Sequence, residues 1–196
     1  MKKPADAATL DLLFREARSY NRWTPDPVPD ETLHALYDLL KFGPTAFNMT
    51  PARFTFVKSA AAKARLLECV SPGNFVKVQQ APVTVIVGMD AAFPEKLPML
   101  FPAYPTAKDF FKDPVATAVP MLRNASLQGA YLIIAARALG LDCGPMSGFD
   151  KAKVDEAFFA ETGWKSNFLI NLGHGDASKI FARSPRFEFA EACRIV

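Results

Sequence analysis

The sequence predicts an α+β fold in which a small central sheet is flanked by helices, and three patterns carry this prediction. Residues 33–40 repeat apolar side chains at helical spacing, which is typical of one face of an amphipathic helix. Residues 82–89 form a continuous apolar and β-branched run, which indicates a central strand buried on both faces. Residues 115–139 follow helical spacing with apolar side chains on nearly every side. Because helical and strand patterns alternate along the chain, an α/β layer is the alternative.

The N-terminal part of the chain is predicted to hold two helices and one strand. Residues 10–17 have helical spacing, and the proline-rich residues 22–30 form an extended arm. Asp30 is the predicted cap of the second helix, which the Gly43-Pro44 pair ends. Residues 53–58 alternate in polarity and are rich in β-formers, so they predict the first strand.

Capping residues and glycines mark the elements that follow. Ser59 is the predicted cap of a third helix, and the Ser71-Pro72 pair begins a fourth, because proline fits the first helical position. Gly140 is the predicted end of the long helix at 115–139. Asp150 caps a further helix, and residues 168–173 predict the last strand.

Residues 90–114 show no regular period and are rich in Pro, Phe and Lys. An irregular segment of this length in a compact domain is usually an active-site lid or a binding loop. We therefore predict a lid here, with a solvated surface loop as the alternative.

Composition limits the classes of protein and partner. The 196 residues, half of them hydrophobic, suit a single domain over residues 1–196 with a substantial core. The net charge of +3 and the scattered basic residues argue against a nucleic-acid partner. No apolar stretch follows the N-terminal lysines, so no signal peptide is predicted. The longest strongly apolar run, residues 129–136, is far shorter than the ~20 residues that span a bilayer. We expect a cytoplasmic protein without a membrane partner.

Cysteine and histidine usage argues against disulfide and metal sites. Cys69, Cys143 and Cys193 have no paired spacing, so neither a disulfide framework nor a zinc site is predicted. His34 is expected on a helix surface, and His174 follows a strand in a glycine loop, where it either lines a pocket or is incidental. The sequence has no G-x-G-x-x-G turn and no P-loop, so a dinucleotide held on a Rossmann turn is not predicted.

Five short clusters combine polar side chains with glycine or proline: ARSYNRW, GPTAFNMTPARF, SPGNFVK, GLDCGPMSGFD and FARSPRF. Their arginines and lysine suit a phosphate group, because a guanidinium donates to two phosphate oxygens at once. Their asparagines and free backbone groups suit the edge of a flat heterocycle. Each cluster alone also has an ordinary explanation, with Asn48 as a turn residue and Lys77 as a solvated helix residue. Their joint occurrence predicts one ligand site.

In their order along about residues 10–190, these motifs resemble those of the FMN-dependent nitroreductase superfamily. The matching elements are an R-x-S-type element at Arg18-Ser19, V-P-x-E-x-L at 28–33, P-[ST]-x-x-N-x-x-P at 44–51, N-x-x-K at 74–77, and G-[LV]-[DG]-x-x-P-x-x-G-F at 140–149. The resemblance implies the nitroreductase-like three-layer fold, an intertwined homodimer, FMN as cofactor, and NADPH or NADH as hydride donor.

The resemblance also implies three groups of cofactor-binding residues and no metal ligand. The groups are Arg18, Ser19, Asn21, Lys77, Arg183 and Arg186 for the ribityl chain and phosphate; Asn74, Pro145, Met146, Ser147 and Gly148 along the flavin ring; and Pro44, Thr45, Asn48 and Thr50 for the ring of the flavin bound mainly by the other subunit. Many members of the family have a basic residue at the position of Asn21, so phosphate binding here is expected to depend more on the C-terminal arginines.

Within the superfamily the chain is most similar to the malonic semialdehyde reductases of uracil breakdown. The similarity lies in ARSYN, SPGN, GPMSGFD and KSNFLINLGHGDASK. It implies reduction of 3-oxopropanoate to 3-hydroxypropanoate, with a broad nitroaromatic or quinone reductase as the alternative. A low-turnover flavin store or sensor is the alternative from another class. Thr50-Pro51-Ala52 replaces the Gln-Pro-Trp that many members have, which removes one flavin hydrogen bond and a large aromatic side chain.

A reductase of a carboxylated aldehyde needs a cation for the carboxylate and an aromatic wall that excludes water. The segment 90–114 offers both kinds of residue, and Arg22 is a further candidate cation. The candidates in the segment are Lys108, Lys112, Phe101, Tyr104, Phe110 and Phe111. Because the cofactor carries the chemistry, we expect no indispensable acid or base side chain.

Overall fold

The computed structural model, which describes residues 2–196, has a four-stranded antiparallel sheet at its centre. The strands are ordered β1-β2-β4-β3, and each neighbouring pair is antiparallel. Their bounds are Ala52–Val57 for β1, Val83–Met89 for β2, Asp142–Met146 for β3 and Lys165–Gly173 for β4. Strand β2 lies between two partners and is buried along Val83–Gly88, so the predicted central strand is confirmed.

Eight α-helices surround this sheet in the described part of the chain. Their bounds are Ala7–Leu10 for α1, Asp30–Leu40 for α2, Ala60–Leu67 for α3, Pro72–Gln80 for α4, Leu97–Leu100 for α5, Pro114–Ala138 for α6, Lys151–Phe159 for α7 and Phe189–Ala192 for α8. A π-helical turn, Asp11–Arg15, continues α1. The predicted α+β fold with a small sheet is confirmed.

The two faces of the sheet bury two different cores. On one face Val85 and Ile170 pack with Leu36 of α2 and Leu132 of α6. On the other face Ile86 belongs to the core that α3, α4 and α7 cover. Neighbouring strand residues point to opposite faces, so the continuous apolar run of β2 supplies both cores. The result is three layers, helix–sheet–helix.

Most of the predicted helix ends are confirmed. The Ser59 side chain accepts a hydrogen bond from the Ala62 N–H, and the Asp150 side chain accepts one from Lys153 N–H. Gly140 has φ of +76°, the left-handed conformation that ends α6. The prediction that Asp30 caps α2 is wrong. Pro29 is the cap residue, and the Asp30 carboxylate accepts a hydrogen bond from Lys58 instead.

Strand β3 is absent from the predicted elements, because the glycines and proline of segment 140–149 show no strand pattern. Proline lacks the N–H that a central strand needs, but Pro145 lies on an edge strand that pairs only with β4 among the named strands. The other edge of β3 accepts one main-chain hydrogen bond, from Tyr20 N to the Cys143 carbonyl at 3.0 Å.

The prediction of an irregular segment at 90–114 is also wrong. Phe93–Lys96 and Pro105–Phe111 are 3₁₀ turns on either side of α5. Phe93 and Leu97 are buried with Met49 in a small separate core, which fixes this segment on the turn before β1. Packing of these apolar side chains produces order that no local period in the sequence indicates.

The thiols form no disulfide within the described residues, and two of them pack in the cores. Cys69 and Cys143 are buried and Cys193 is exposed, and all three are free. His34 is exposed on α2, as predicted. Within residues 2–196, no cluster of three or more His, Cys, Asp or Glu side chains is placed to hold a metal ion. None of the described helices is both long and apolar enough to cross a membrane.

Candidate functional site

Four arginines surround one cavity of about 560 Å³ between the end of the N-terminal helix and the C-terminal tail. Three of them, Arg18, Arg183 and Arg186, are predicted phosphate-binding residues, and the fourth, Arg137, belongs to α6. Ser19 also lines this cavity. No Asp or Glu is among the lining residues, and none of the four arginines forms an ion pair with a residue in the range 2–196. The cavity is therefore strongly positive and suited to an anion.

Main-chain hydrogen bonds hold the N-terminal segment that carries Arg18 and Ser19. Ser19 forms a parallel bridge with Cys143 of β3, and Thr24 N–H donates to the His174 carbonyl at 2.9 Å. A Cβ at Gly144 would lie 2.5 Å from the Tyr20 carbonyl oxygen, so only glycine allows this close approach. The sheet edge thus places Arg18 next to the C-terminal tail.

All four arginines donate to main-chain carbonyls, Arg137 through Nη1 to Leu13 at 2.9 Å. Arg18 Nη2 donates to the Phe181 carbonyl at 2.5 Å, and Arg183 Nη2 donates to the carbonyls of Arg15 and Ala17 at 2.7 and 3.2 Å. Arg186 Nη1 donates to two carbonyls within its own turn, both at 3.0 Å. These bonds leave each guanidinium with its full charge and with further N–H groups for a ligand.

A second cavity, of about 660 Å³, lies beside the arginine cavity and shares Ile180 and Phe181 as lining residues. Asn21 and Lys77, both predicted site residues, line this second cavity. The cations Arg22 and Lys179 line it as well, and no carboxylate does; the remaining lining residues are Pro72, Gly73, Val76 and Ser178. The two neighbouring cavities together offer room for a ligand longer than a phosphate group.

Hydrogen bonds connect three predicted site residues, two on α4 and one just after β3. Lys77 Nζ donates to Asn74 Oδ1 at 3.1 Å, and Asn74 Nδ2 donates to the Gly148 carbonyl at 3.0 Å. A Cβ at Gly148 would lie 2.6 Å from Asn74 Nδ2, so a larger residue would displace the asparagine. Pro145 and Met146 precede this contact on β3, and Ser147 is exposed next to them.

A buried polar pair on the sheet binds the main chain of Lys77. Thr84 Oγ1 of β2 donates to Asn171 Oδ1 of β4 at 2.7 Å, and Asn171 Nδ2 donates to the Lys77 carbonyl at 3.0 Å. Both side chains are fully buried, and such groups are stable only when hydrogen-bonded. The sheet therefore fixes the last turn of α4, on which Lys77 lies.

The predicted ring-contacting turn lies apart from the other site residues. Asn48 and Thr50 line a different cavity, of about 270 Å³, which shares no residue with the two described above. Pro44 and Asn48 are exposed. Asn48 Nδ2 donates to the Leu100 carbonyl at 2.8 Å, and Thr45 Oγ1 accepts a hydrogen bond from Thr50 N–H. Within one chain, the structure does not bring this turn to the arginine cavity.

Two buried amides of α6 hold this turn in an unusual conformation. Asn124 Oδ1 accepts from the Ala46 N–H at 2.8 Å, and Gln128 Oε1 accepts from the Ala52 N–H at 2.9 Å. Between these anchors Phe47, Asn48 and Thr50 have φ values of 52°, 48° and 35°, a region that side chains rarely adopt. Such strain persists only where the surroundings enforce it, and it occurs often at functional sites.

Several supporting residues are not among the predicted ones. Arg137, Asn171, Asn124 and Gln128 all lie in patterns that predict buried helix or strand. A single arginine or amide within an apolar run is the signal that could have identified them. The carbonyl of His174 accepts the hydrogen bond from Thr24 N–H. Burial raises the pKa of the Cys143 thiol to about 12, so this thiol stays neutral.

Comparison with known proteins agrees with this fold. The sequence pattern of the Nitroreductase family matches residues 14–174. A protein from Ralstonia nicotianae is 56% identical over 191 residues, 97% of this chain and 98% of its own. One from Stenotrophomonas maltophilia (strain R551-3) is 59% identical over 196 residues, all of both chains. Both are named "Putative NADH dehydrogenase/NAD(P)H nitroreductase".

A solved structure from Exiguobacterium sibiricum, described as a "putative nitroreductase in complex with FMN", has the same fold. Its TM-score is 0.87 at 19% identity, and the match covers 100% of this chain and 99% of that chain. The family match and the two relatives cover nearly the whole chain, so this protein belongs to the nitroreductase family.

Proposed function

We propose that the protein is an FMN-dependent NAD(P)H oxidoreductase. The observation that carries this proposal is the arginine cavity, in which four guanidinium groups lack a carboxylate partner within the described chain. A phosphate monoester carries nearly two negative charges near neutral pH, so it fits such a site. The names of the Ralstonia and Stenotrophomonas relatives support NAD(P)H as the reductant.

The two neighbouring cavities suit the two ends of a flavin mononucleotide. Arg18, Ser19, Arg183 and Arg186 would hold the phosphate, and the shared wall at 180–181 would lie along the ribityl chain. Asn21 and Lys77, which the resemblance assigns to the ribityl chain and phosphate, line the second cavity instead and would serve the flavin ring in this proposal. The other polar groups at the ring would come from Asn74 and the strand end Pro145, Met146, Ser147 and Gly148. Arg137 also lines the arginine cavity without a carboxylate partner among residues 2–196, which further supports an anionic ligand there.

In this proposal the cofactor carries out the redox reaction, and the side chains bind and orient the cofactor. When bound, FMN supplies redox chemistry that amino-acid side chains lack. The arginines would anchor the cofactor, and the hydrogen bonds from Lys77 through Asn74 to Gly148 would orient the polar edge of its site. The overall reaction for an aldehyde is R–CHO + NAD(P)H + H⁺ → R–CH₂OH + NAD(P)⁺.

A second copy of the chain would complete the site. Pro44, Thr45, Asn48 and Thr50 lie on a turn away from the arginine cavity in one chain. The long helix α6 also leaves Val119 and Leu122 exposed, although monomeric surfaces rarely expose contiguous apolar stripes. A homodimer that buries this stripe and brings the turn to the partner's flavin accounts for both observations.

The proposed substrate is a small carboxylated aldehyde, 3-oxopropanoate, as in the malonic semialdehyde reductases. The second cavity holds an excess of cations, and Arg22 is half-buried there with Nη1 committed only to the Asn21 carbonyl. Lys112 already pairs with Asp109 at 3.1 Å, and Lys108 is exposed. Of the three candidate cations, Arg22 is therefore the strongest partner for a substrate carboxylate.

Replacing Arg22 by alanine should change substrate preference. Loss of a charge-assisted hydrogen bond of about 1.5–3 kcal/mol should lower kcat/KM for 3-oxopropanoate roughly tenfold to a hundredfold. A neutral quinone lacks the carboxylate and should be affected far less. The measurement is the ratio of the two kcat/KM values, with Lys108→Ala and Lys112→Ala as matched controls that remove a cation elsewhere. An unchanged ratio in the Arg22 variant would favour a broad reductase.

A broad nitroaromatic or quinone reductase is the second candidate, because the relatives carry NAD(P)H nitroreductase names. Steady-state comparison of 3-oxopropanoate with a nitroarene separates the two enzymes: a dedicated aldehyde reductase has the higher kcat/KM for the acid. A flavin store or sensor would bind FMN but show no repeated turnover of NAD(P)H with either acceptor.

A further inference from the structure

Arg137 lies in the last turn of α6 and lines the arginine cavity. Its Nη1 donates to the Leu13 carbonyl at 2.9 Å. Its Nε is buried and has no hydrogen-bond partner among residues 2–196. A buried charged donor without an acceptor is unfavourable, and a nearby anion would offset this cost by compensating the charge.

Neither capping of the helix end nor an ion pair within the described chain explains why Arg137 lies at this position. The last carbonyls of α6 already accept hydrogen bonds from the N–H groups of Leu139 and Gly140, so the helix end needs no arginine. A counterion is also lacking, because no described Asp or Glu pairs with Arg137 and the buried Cys143 thiol near it stays neutral. The other three arginines of the cavity differ, since their hydrogen bonds to main-chain carbonyls are exposed, whereas the bond of Arg137 to Leu13 is partly buried.

We propose that Arg137 is the anchor of the phosphate site, and that its Nη2 donates to a phosphate oxygen of the bound cofactor. This inference rests on the proposed function, in which the arginine cavity takes the phosphate of FMN. Nη1 is committed to Leu13 and Nε is enclosed by the protein, so Nη2 remains for the ligand. Nη2 carries two N–H donors and part of the guanidinium charge, and a charge-assisted hydrogen bond to phosphate is strong.

The test compares FMN with riboflavin, which lacks only the phosphate, by titrating flavin-free protein with each. Arg137→Met should weaken FMN binding roughly tenfold to a hundredfold, the loss of a charge-assisted hydrogen bond, while the Kd of riboflavin stays within about threefold. Arg137→Gln, which removes the charge but keeps an amide for the Leu13 carbonyl, should give the same loss if the methionine variant folds poorly. Arg65→Met is the matched control, because Arg65 lies over the Phe158 ring and lines another cavity.

The outcomes separate this inference from the proposed function. Equal weakening of FMN and riboflavin in both Arg137 variants would show a purely structural role and overturn the inference. Unchanged FMN affinity in both variants would overturn it as well. If Arg18→Ala reduces the preference for FMN over riboflavin but the Arg137 variants do not, the phosphate site stands and only the role of Arg137 falls. If the unmodified protein shows no preference for FMN, the phosphate site itself is wrong and both proposals fall.

Discussion

Glutamate at both Val119 and Leu122 is expected to convert the protein into a monomer that no longer retains FMN. Both side chains are exposed in the single chain, at 59% and 46%, so the substitutions leave its core intact. In a symmetric dimer each substitution occurs twice, and the like charges meet without water. Such an arrangement costs about 4 kcal/mol or more, roughly a thousandfold in the dimer dissociation constant.

Flavin loss should accompany dissociation because the turn at 44–50 would leave the site together with the partner. Light scattering gives the mass, and the ratio of flavin to protein after gel filtration gives retention. Ala152→Glu, an exposed position on α7, is the matched control and should stay dimeric and yellow. If the unmodified protein is itself a stable, yellow and fully active monomer, both the dimer and the shared site are wrong.

Replacing Arg18 and Arg186 together by alanine should give folded but nearly colourless protein. Each removed guanidinium leaves phosphate charge uncompensated under the bound cofactor, and the combined loss is about 2–5 kcal/mol, or roughly thirtyfold to several-thousandfold in Kd. Arg18 also holds the tail through the Phe181 carbonyl, so tail order and cofactor affinity should decline together.

Two measurements separate cofactor loss from misfolding in this double variant. Circular dichroism should show unchanged secondary structure, and the thermal midpoint without FMN should stay close to that of unmodified flavin-free protein. Arg65→Ala removes a positive charge outside the cavity and should keep its flavin. Unchanged FMN affinity in the double variant would mean that the phosphate binds elsewhere.

Sequence patterns predict the parts of this fold that local physics controls. The amphipathic period of α2, the apolar run of β2 and the caps at Ser59 and Asp150 are confirmed because neighbouring residues alone determine them. Strand β3 depends instead on pairing with β4 and on the Tyr20 hydrogen bond, which lie far away in the sequence. Its own residues, which include glycine and proline, therefore do not indicate a strand.

In the candidate site too, sequence motifs predict some residues, and contacts between distant parts of the chain determine others. The motifs identify Arg18, Arg183 and Arg186, and the structure places these three around one cavity although the first lies far from the others in sequence. Arg137 lies outside the motifs, because its run predicts a core helix, and its proposed role depends on its hydrogen bond to Leu13 and on the cavity that it shares with Arg18. The roles of Asn124 and Gln128 of α6 likewise depend on hydrogen bonds to the distant residues Ala46 and Ala52, which the helical pattern does not indicate.

The most direct test of an FMN-dependent oxidoreductase is an anaerobic titration of the purified protein. Protein as isolated should be yellow, with about one FMN per chain. Addition of NADPH or NADH should bleach the visible flavin absorbance, and later addition of 3-oxopropanoate or a nitroarene should restore it. A protein that carries no FMN after reconstitution, or whose bound FMN neither reduced nicotinamide cofactor can bleach, would contradict the account.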